Sequence, residues 1–180
     1  MAQPPDDRSD QALITAINGG DDRAFEALYY RYRNWVVRLA QRFTHNADDA
    51  LDVLQETFAY LSRKFPGFKL SCAMTSFLYP VVRNLSIAAR RKSARFKVLE
   101  PVVEPPAPSK VDSDRADLSP ALGGLPETHR EVLLMRFVDD LSLQEIADAL
   151  DVPLGTVKSR LHNAIATLRA DPKLAEWFRE

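Results

Sequence analysis

Residues 141–168, LSLQEIADALDVPLGTVKSRLHNAIATL, hold two helical patterns separated by a short break. Ser142 and Glu145 begin the first pattern with the spacing of a capping box, which satisfies backbone amides at a helix N-terminus. The tripeptide Asp151–Pro153 interrupts the pattern, because proline does not continue a helix, and a longer pattern follows. The small Ala147 would let the two helices cross closely. This stretch therefore predicts a helix-turn-helix.

The second helix of this motif carries a face suited to DNA. Residues 118–180 hold 7 Lys/Arg and 10 Asp/Glu, a net charge of −3, yet there is no acid between Pro153 and Arg169. Polar side chains on such a helix can reach base edges in a major groove. We expect the contacts to come from Thr156, Lys158, Ser159, Arg160, His162 and Asn163. The alternative is a plain helical hairpin with a solvated basic face.

The N-terminal half is basic and is also predicted to be helical. Residues 1–97 hold 15 Lys/Arg and 10 Asp/Glu, a net charge of +5. A short helix through Leu13 should precede a long one capped by Asp21 or Asp22. A third helix should begin at Asn46, and a fourth should run from about Met74 to Arg95. Leu51, Leu54, Phe58 and Leu61 are the expected apolar face of the third helix, which Pro66-Gly67 should end. The expected buried stripe of the fourth helix is Phe77, Leu78, Val81, Val82, Leu85 and Ala88 or Ala89, with Pro80 inside it as a kink or a later start.

A proline-rich segment separates the two halves. Residues 101–119 read PVVEPPAPSKVDSDRADLS, and clustered prolines favour an extended chain. We therefore predict an all-α protein of two small helical domains, residues 1–98 and 120–180, joined by a flexible linker over residues 99–119. A long loop within one domain is the alternative, although such loops are uncommon in compact folds. A last short helix should begin at Asp171-Pro172, with Leu174, Trp177 and Phe178 on one side.

Other classes of protein find little support in the sequence. The single cysteine, Cys72, excludes an internal disulfide, and the three histidines form no metal-ligand pattern. There is no phosphate-binding loop or dinucleotide fingerprint, so we expect neither an enzyme nor a cofactor. The first ten residues lack the features of a signal peptide, and no apolar run is long enough to span a membrane. A cytoplasmic location is expected.

Segments from both halves of the chain carry a resemblance to one family. Residues 141–168 resemble region four of the extracytoplasmic-function sigma factors, and LPETHREVLLMRFVDDLSLQEIA resembles the usual lead-in to that region. The segments AFEALYYRYRNWVVRLA, DDALDVLQETF and SFLYPVVRNLSIAARRK resemble region two. The matching stretches cover most of residues 10–168. The resemblance implies a sigma factor that binds core RNA polymerase and directs promoter recognition and transcription initiation. An anti-sigma factor is a common further partner in this family.

The resemblance also implies site residues in the N-terminal half. The expected contacts with the clamp helices of the largest polymerase subunit are Asp49, Asp52, Gln55 and Glu56. The expected contacts with the melted minus-ten element are Phe68, Arg83, Asn84, Arg90, Arg91 and Lys92. Phe77 and Tyr79 are nearby aromatic residues, of which Phe77 fits the apolar stripe. The chain departs from the family pattern at Leu51, where an acid is usual, and at Asn163, where a basic residue is common.

Two other functions remain open from the residues alone. A stand-alone repressor or activator would use only the helix-turn-helix and bind duplex DNA without polymerase. The acidic character of residues 118–180 argues against it, because neutralisation of phosphates dominates such affinity. A module that binds only other proteins is the second alternative, and anti-sigma binding would let that role coexist with the main one.

Overall fold

The computed structural model describes residues 6–97 and 122–170. Within these ranges the backbone forms helices joined by turns and contains no β-strand, which confirms the all-α prediction. The chain divides into two compact units, Met1–Pro101 and Val102–Glu180. The predicted linker, 99–119, and the predicted last helix with Leu174, Trp177 and Phe178 lie outside the described residues.

The N-terminal unit contains four helices: α1 (Asp10–Asn18), α2 (Asp22–Thr44), α3 (Ala47–Ser62) and α4 (Met74–Lys97). Helices α1, α2 and α3 are each capped by a short polar side chain. This side chain accepts hydrogen bonds from backbone amides of the first turn, as is common at this position. The capping residues are Ser9 for α1, Asp21 for α2 and Asn46 for α3. The predicted starts of α2 and α3 are therefore confirmed.

Helix α2 is central to this unit, because it packs against each of the other three helices. The buried apolar side chains of the unit are Leu13, Ile14, Ala24, Leu28, Val36, Leu39, Ala40, Ala50, Val53, Leu54, Phe58, Leu61, Met74, Leu78, Tyr79 and Val82. Complete burial of one large aliphatic side chain contributes about 1.5–3 kcal/mol. The unit is thus held together mainly by the apolar stripes of its helices.

Several details of the N-terminal unit differ from the sequence predictions. Leu51 is 48% exposed, because the face of α3 that packs inward holds Ala50, Val53 and Thr57 instead. Helix α3 ends at Ser62, before Pro66-Gly67. Helix α4 begins at Met74, as predicted, and continues through Pro80, so Pro80 does not mark a later start. In the predicted α4 stripe, Leu78 and Val82 are buried, Phe77, Val81, Leu85 and Ala89 are half-buried, and Ala88 is exposed.

Tyr79, one of the aromatic residues near the predicted minus-ten contacts, is buried in the N-terminal unit. Its side chain is 0% exposed, and its hydroxyl accepts a hydrogen bond from Nη2 of Arg42 at 3.3 Å. The ring lies edge-on to Phe43, with 6.4 Å between ring centroids. Tyr79 is therefore a core residue and offers no aromatic face to a nucleic acid.

An ion-pair cluster ties the N-terminal segment to α1 and α2. Arg8 pairs with Asp6 at 2.7 Å and with the capping residue Asp21 at 3.1 Å. Arg31 of α2 pairs with Asp10 at 2.6 Å and also donates to the backbone carbonyls of Asp6 and Arg8. The segment before α1 is thus attached by side chains as well as by backbone.

The C-terminal unit contains α5 (Glu127–Phe137), α6 (Leu143–Leu150) and α7 (Leu154–Ala170). Helix α6 begins with the predicted capping box, in which Ser142 and Glu145 satisfy each other's backbone amides. Leu125 and Leu133 pack with Ala164 and Leu168 of α7 to form a core cluster, against which Leu122, Leu161 and Ile165 also pack. This core turns the polar face of α7 outward.

Candidate nucleic-acid and polymerase interfaces

The turn between α6 and α7 sets the position of α7, the second helix of the motif. Asp151 ends α6 in the left-handed conformation, with φ of 51°. The amide of Val152 then donates to the carbonyl of Ala147 at 3.1 Å, while Val152 itself is half-buried. Ala147 is buried, as its small size predicted. The predicted helix-turn-helix is therefore present, with a tight turn held by backbone bonds.

Helix α7 exposes most of the predicted DNA-reading side chains. Val157 and Ala164 are fully buried, so the helix is oriented by its apolar side. The exposed members of the predicted set are Lys158, Ser159, His162 and Asn163. Thr156 and Arg160 are half-buried. The structure thus brings four of the six predicted side chains to one solvent-facing surface.

Gly155 lies exposed in the first turn of α7. A Cβ atom added at this position would meet nothing within 4 Å. The fold of the unit therefore does not require glycine here, whereas a backbone without a side chain permits close approach of an external phosphate to a helix N-terminus. This observation agrees with a DNA-facing surface at the start of α7.

Helix α3 presents a polar face that contains three of the four predicted polymerase contacts. Asp52, Gln55 and Glu56 are exposed at a spacing of three and four positions, which places them on one face of the helix, and Leu51 lies exposed beside them. Asp49, the fourth predicted contact, is half-buried. Both of its carboxylate oxygens accept from the hydroxyl of Ser93, at 3.0 Å each. The predicted set is therefore divided between a solvated face and an interhelical contact.

Helix α4 carries the predicted minus-ten residues on its outer side. Asn84, Arg90, Arg91 and Lys92 are exposed, and Arg83 is half-buried. Asn84 and Arg91 are seven residues apart, which places them two turns apart on one side of the helix. Asn84 thus shares one side of the helix with Arg91, which belongs to the exposed cations near the C-terminal end of α4.

The loop between α3 and α4 holds Phe68 in a chain of aromatic contacts. Its ring is 4.9 Å from that of Phe77 and 5.5 Å from that of Phe65, measured between centroids. Phe77 in turn stacks on Tyr60, with an angle of 25° between the rings. Phe68 and Phe77 are both half-buried, so each keeps part of its ring accessible.

Two contacting residues of these surfaces were missed by the sequence reasoning. Asn18 holds the α3–α4 loop through bonds to Gly67 and Phe68, and no local pattern indicates a partner about fifty positions away. Ser93 had a weak signal, because it continues the helical spacing of the buried residues of α4. This spacing indicates a contact for Ser93 only when α3 is known to lie beside α4.

The part of the chain that the structure describes contains no helix long and apolar enough to cross a membrane. Within the same residues there is no group of three or more His, Cys, Asp or Glu side chains arranged to hold a metal ion.

Family comparisons match both halves of the chain. The model of Sigma-70 region 2 matches residues 28–96, and that of Sigma-70 region 4 matches residues 121–170. The RNA polymerase sigma-H factor of Pseudomonas aeruginosa is 30% identical, over 86% of this chain and 89% of the relative. The ECF RNA polymerase sigma factor SigW of Bacillus subtilis is 27% identical, over 87% and 92%.

A solved structure shares the fold. The sigma factor RpoE of Bartonella quintana, determined in complex with the anti-sigma factor NepR, superposes with a TM-score of 0.59 at 21% identity. The match covers 86% of this chain and 98% of that one.

The chain belongs to the sigma-70 family of RNA polymerase sigma factors, in its extracytoplasmic-function group. It is an alternative sigma factor, which binds core RNA polymerase and directs promoter recognition and transcription initiation, and it is not an enzyme.

Proposed function

We propose that this sigma factor divides its tasks between its two units. Residues 1–98 bind core polymerase and the melted minus-ten element, residues 120–180 read the minus-thirty-five element, and residues 99–119 link them. The observation that carries this proposal is the contrast between two exposed helix faces. The face of α3 exposes carboxylates, whereas α7 from Leu154 to Ala170 contains no acid.

The polymerase-docking face is assigned to Asp52, Gln55 and Glu56 of α3. Asp52 and Glu56 are four residues apart, so their carboxylates project from neighbouring turns of one face. Complementary charge speeds encounter and selects the partner more than it adds affinity. A basic helix of the largest polymerase subunit, as the family resemblance implies, would match this face.

The melted minus-ten strand is assigned to the outer side of α4. The amide of Asn84 can both donate to and accept from the edge of an unstacked base. Arg90, Arg91 and Lys92 would neutralise phosphates of the same strand. The accessible part of the Phe68 ring supplies the kind of aromatic surface on which single-stranded bases stack. Arg83, which is half-buried next to Asn84, is assigned to the same DNA-binding surface.

The minus-thirty-five duplex is assigned to α7. Lys158 and Arg160 would contact phosphates, with Thr156 near the strand that faces the start of the helix. Ser159, His162 and Asn163 would point to base edges. Asn is suited to bidentate reading of adenine, whereas guanine is typically read by Arg or Lys. The presence of Asn163 therefore favours an adenine contact in the upstream element.

Neither unit needs to bind DNA tightly by itself. Two modest contacts joined by a tether gain avidity, because the second contact forms at a high effective concentration. Linker residues 99–119 would supply that tether. This arrangement explains how an acidic C-terminal unit can still read DNA, since polymerase and the N-terminal unit bring it to the promoter.

An inhibitory partner and a cellular location are also proposed. The fold neighbour from Bartonella quintana is recorded with an anti-sigma factor, and we expect this chain to be held by a protein of that kind. Since transcription by bacterial RNA polymerase takes place in the cytoplasm, we place the protein there.

The decisive experiment measures binding to purified bacterial core RNA polymerase by fluorescence anisotropy of labelled full-length protein. The test variant combines Asp52→Ala, Gln55→Ala and Glu56→Ala. We expect tight binding by the wild type and a loss of about tenfold or more in the variant, or roughly 1.4 kcal/mol.

A matched control also removes two carboxylates and one amide, elsewhere on the N-terminal unit. Asp7→Ala, Asp22→Ala and Gln41→Ala change three exposed residues with the same net charge change. The control should bind like the wild type. If folded wild-type protein fails to bind polymerase but binds duplex promoter DNA alone, the stand-alone regulator becomes the better description.

A further inference from the structure

Asp49 and Ser93 join two helices to which different tasks have been assigned. Asp49 lies in the first turn of α3, and Ser93 lies near the end of α4. The Ser93 hydroxyl is 3.0 Å from each carboxylate oxygen of Asp49. Both residues are half-buried, and they are 44 positions apart in the chain. The beginning of the polymerase-docking helix thus touches the basic end of the DNA-binding helix.

Ser93 continues the inward-facing side of α4. Leu78, Val82 and Ser86 are buried at intervals of four residues, Ala89 is half-buried three residues later, and Ser93 follows after four more. Earlier turns of α4 are therefore held by burial, whereas the turn at Ser93 is held by a polar contact. Ends of helices that lack tertiary contacts open readily.

The charge of this helix end disfavours its helical order. The exposed cations around Ser93 are Arg90, Arg91, Lys92 and Arg95. Like charges at helical spacing, such as Arg91 and Arg95, disfavour the helix. A carboxylate held against this turn counteracts the repulsion and also accepts the serine hydroxyl. Hydrogen bonds to ionised acceptors are the stronger kind in proteins.

We infer that Asp49 is a positioning residue for promoter DNA and not a docking contact for polymerase. Its carboxylate holds Ser93 and so keeps the last turns of α4, with their cations, ordered against α3. The inference rests on the proposed function, since it reassigns one member of the predicted polymerase face. It also joins the two activities, because the helix that docks on polymerase directly supports the segment that receives the melted strand.

The test uses full-length variants that break the contact from either side. These are Asp49→Ala, Ser93→Ala and the double variant, with Ser93→Thr as the version that keeps a hydroxyl. Asp48→Ala is the matched control. Asp48 is the exposed neighbour of Asp49 in the same first turn, so its removal takes away the same charge and the same interaction with the helix dipole.

Two affinities are measured for each variant. The first is affinity for core RNA polymerase, by anisotropy. The second is affinity of the assembled holoenzyme for a fork-junction DNA, whose promoter is first selected from a random library by the wild-type holoenzyme. Amide hydrogen exchange of residues 87–97 reports the order of the helix end directly.

Asp49→Ala and Ser93→Ala should each weaken fork-junction binding about tenfold, which corresponds to about 1.4 kcal/mol. Their double variant should be no weaker than either single variant, because both remove one interaction. Ser93→Thr and Asp48→Ala should bind the DNA like the wild type. Core polymerase affinity should be unchanged in all of them, and hydrogen exchange of residues 87–97 should be faster only where the contact is broken.

Other outcomes overturn the inference. If Asp49→Ala weakens binding to core polymerase as Asp52→Ala does, Asp49 is a docking contact. If Ser93→Ala leaves fork-junction affinity unchanged, the contact does not position the DNA-binding segment. In both cases the proposed function stands. Failure of the wild type itself to bind core polymerase would instead contradict the proposed function.

Discussion

The side chain of Asn18, the last residue of α1, binds the backbone of the α3–α4 loop at two points. Its amide nitrogen donates to the carbonyl of Phe68 at 2.8 Å, and its amide oxygen accepts from the backbone amide of Gly67 at 2.6 Å. One side chain therefore serves as both donor and acceptor. Helix α1, which carries none of the proposed contacts with DNA, fixes the backbone of the loop that precedes the proposed minus-ten surface.

Asn18→Ala should destabilise the N-terminal unit and loosen this loop. A net loss of about 1–3 kcal/mol is expected, because two backbone groups lose their partner. Urea denaturation would measure the loss, and holoenzyme binding to fork-junction DNA would reveal its effect on Phe68. Gln11→Ala, an exposed substitution on the same helix, is the control. Equal stability of the two variants would show that solvent replaces both bonds without loss.

Leu51 and Leu54 should differ sharply in their effect on stability. Leu54 is buried, so Leu54→Ala should cost about 2–5 kcal/mol in free energy of unfolding. Leu51 is exposed, so Leu51→Ala should change that energy by no more than about 0.5 kcal/mol. The two substitutions remove the same atoms from one helix, so urea denaturation of the pair compares the two positions directly. A large loss from Leu51→Ala would contradict the orientation of α3.

Lys158 and Asn163 of α7 should affect promoter binding in different ways. Lys158→Ala should weaken holoenzyme binding to duplex promoter DNA for all sequences and reduce the salt slope by about 0.9. Asn163→Ala should alter preference at one base pair by about 1–3 kcal/mol and leave the slope unchanged. Affinity measured across a potassium chloride series and across base-substituted promoters distinguishes the two. Loss of sequence preference in Lys158→Ala would mean that Lys158 reads a base.

The ion pair of Asp6 with Arg8 predicts an acid-sensitive contribution to stability. The hydrogen bond from the Arg8 side chain lowers the pKa of Asp6 from 3.8 to about 2. A carboxyl with a lower pKa in the folded state stabilises the fold above its unfolded pKa and loses that contribution as pH falls toward the folded value. The contribution is therefore present at neutral pH and lost between about pH 4 and pH 2.

Asp6→Asn tests this expectation. Its urea midpoint should lie below that of the wild type at neutral pH, and the two should converge as the pH falls toward about 2. Asp7→Asn removes the same charge at the next position without removing the contact with Arg8, and so isolates the effect of net charge. A pH-independent difference for Asp6→Asn would mean that the ion pair is absent in solution.

Local features of the fold were predictable because their physics is local. The capping box of Ser142 and Glu145 and the caps of Asp21 and Asn46 involve residues two or three positions apart, so the sequence alone contains both partners. The break at Asp151 is equally local, since a left-handed residue and a following proline end the helix together. Such signals gave the helix-turn-helix and most helix starts.

Errors and omissions arose where a distant partner decides the outcome. Leu51 fits helical spacing with Leu54, but α2 and α4 cover a face rotated toward Ala50 and Thr57, whose small size permits close packing. Tyr79 lies close in sequence to the predicted minus-ten residues, yet its hydroxyl accepts a hydrogen bond from Arg42, 37 positions earlier, inside the unit. The sequence contains these residues but not their proximity.

Gly155 leaves the C-terminal unit less stable than an alanine at the same position would make it. Since a methyl group at this position would touch nothing, Gly155→Ala should stabilise the C-terminal unit by about 0.4–1 kcal/mol. In the arrangement proposed for α7, the same methyl group would stand on the side that faces the promoter phosphates. If α7 reads the promoter as proposed, selection for thermal tolerance alone would favour a substitution that selection for promoter occupancy would reject.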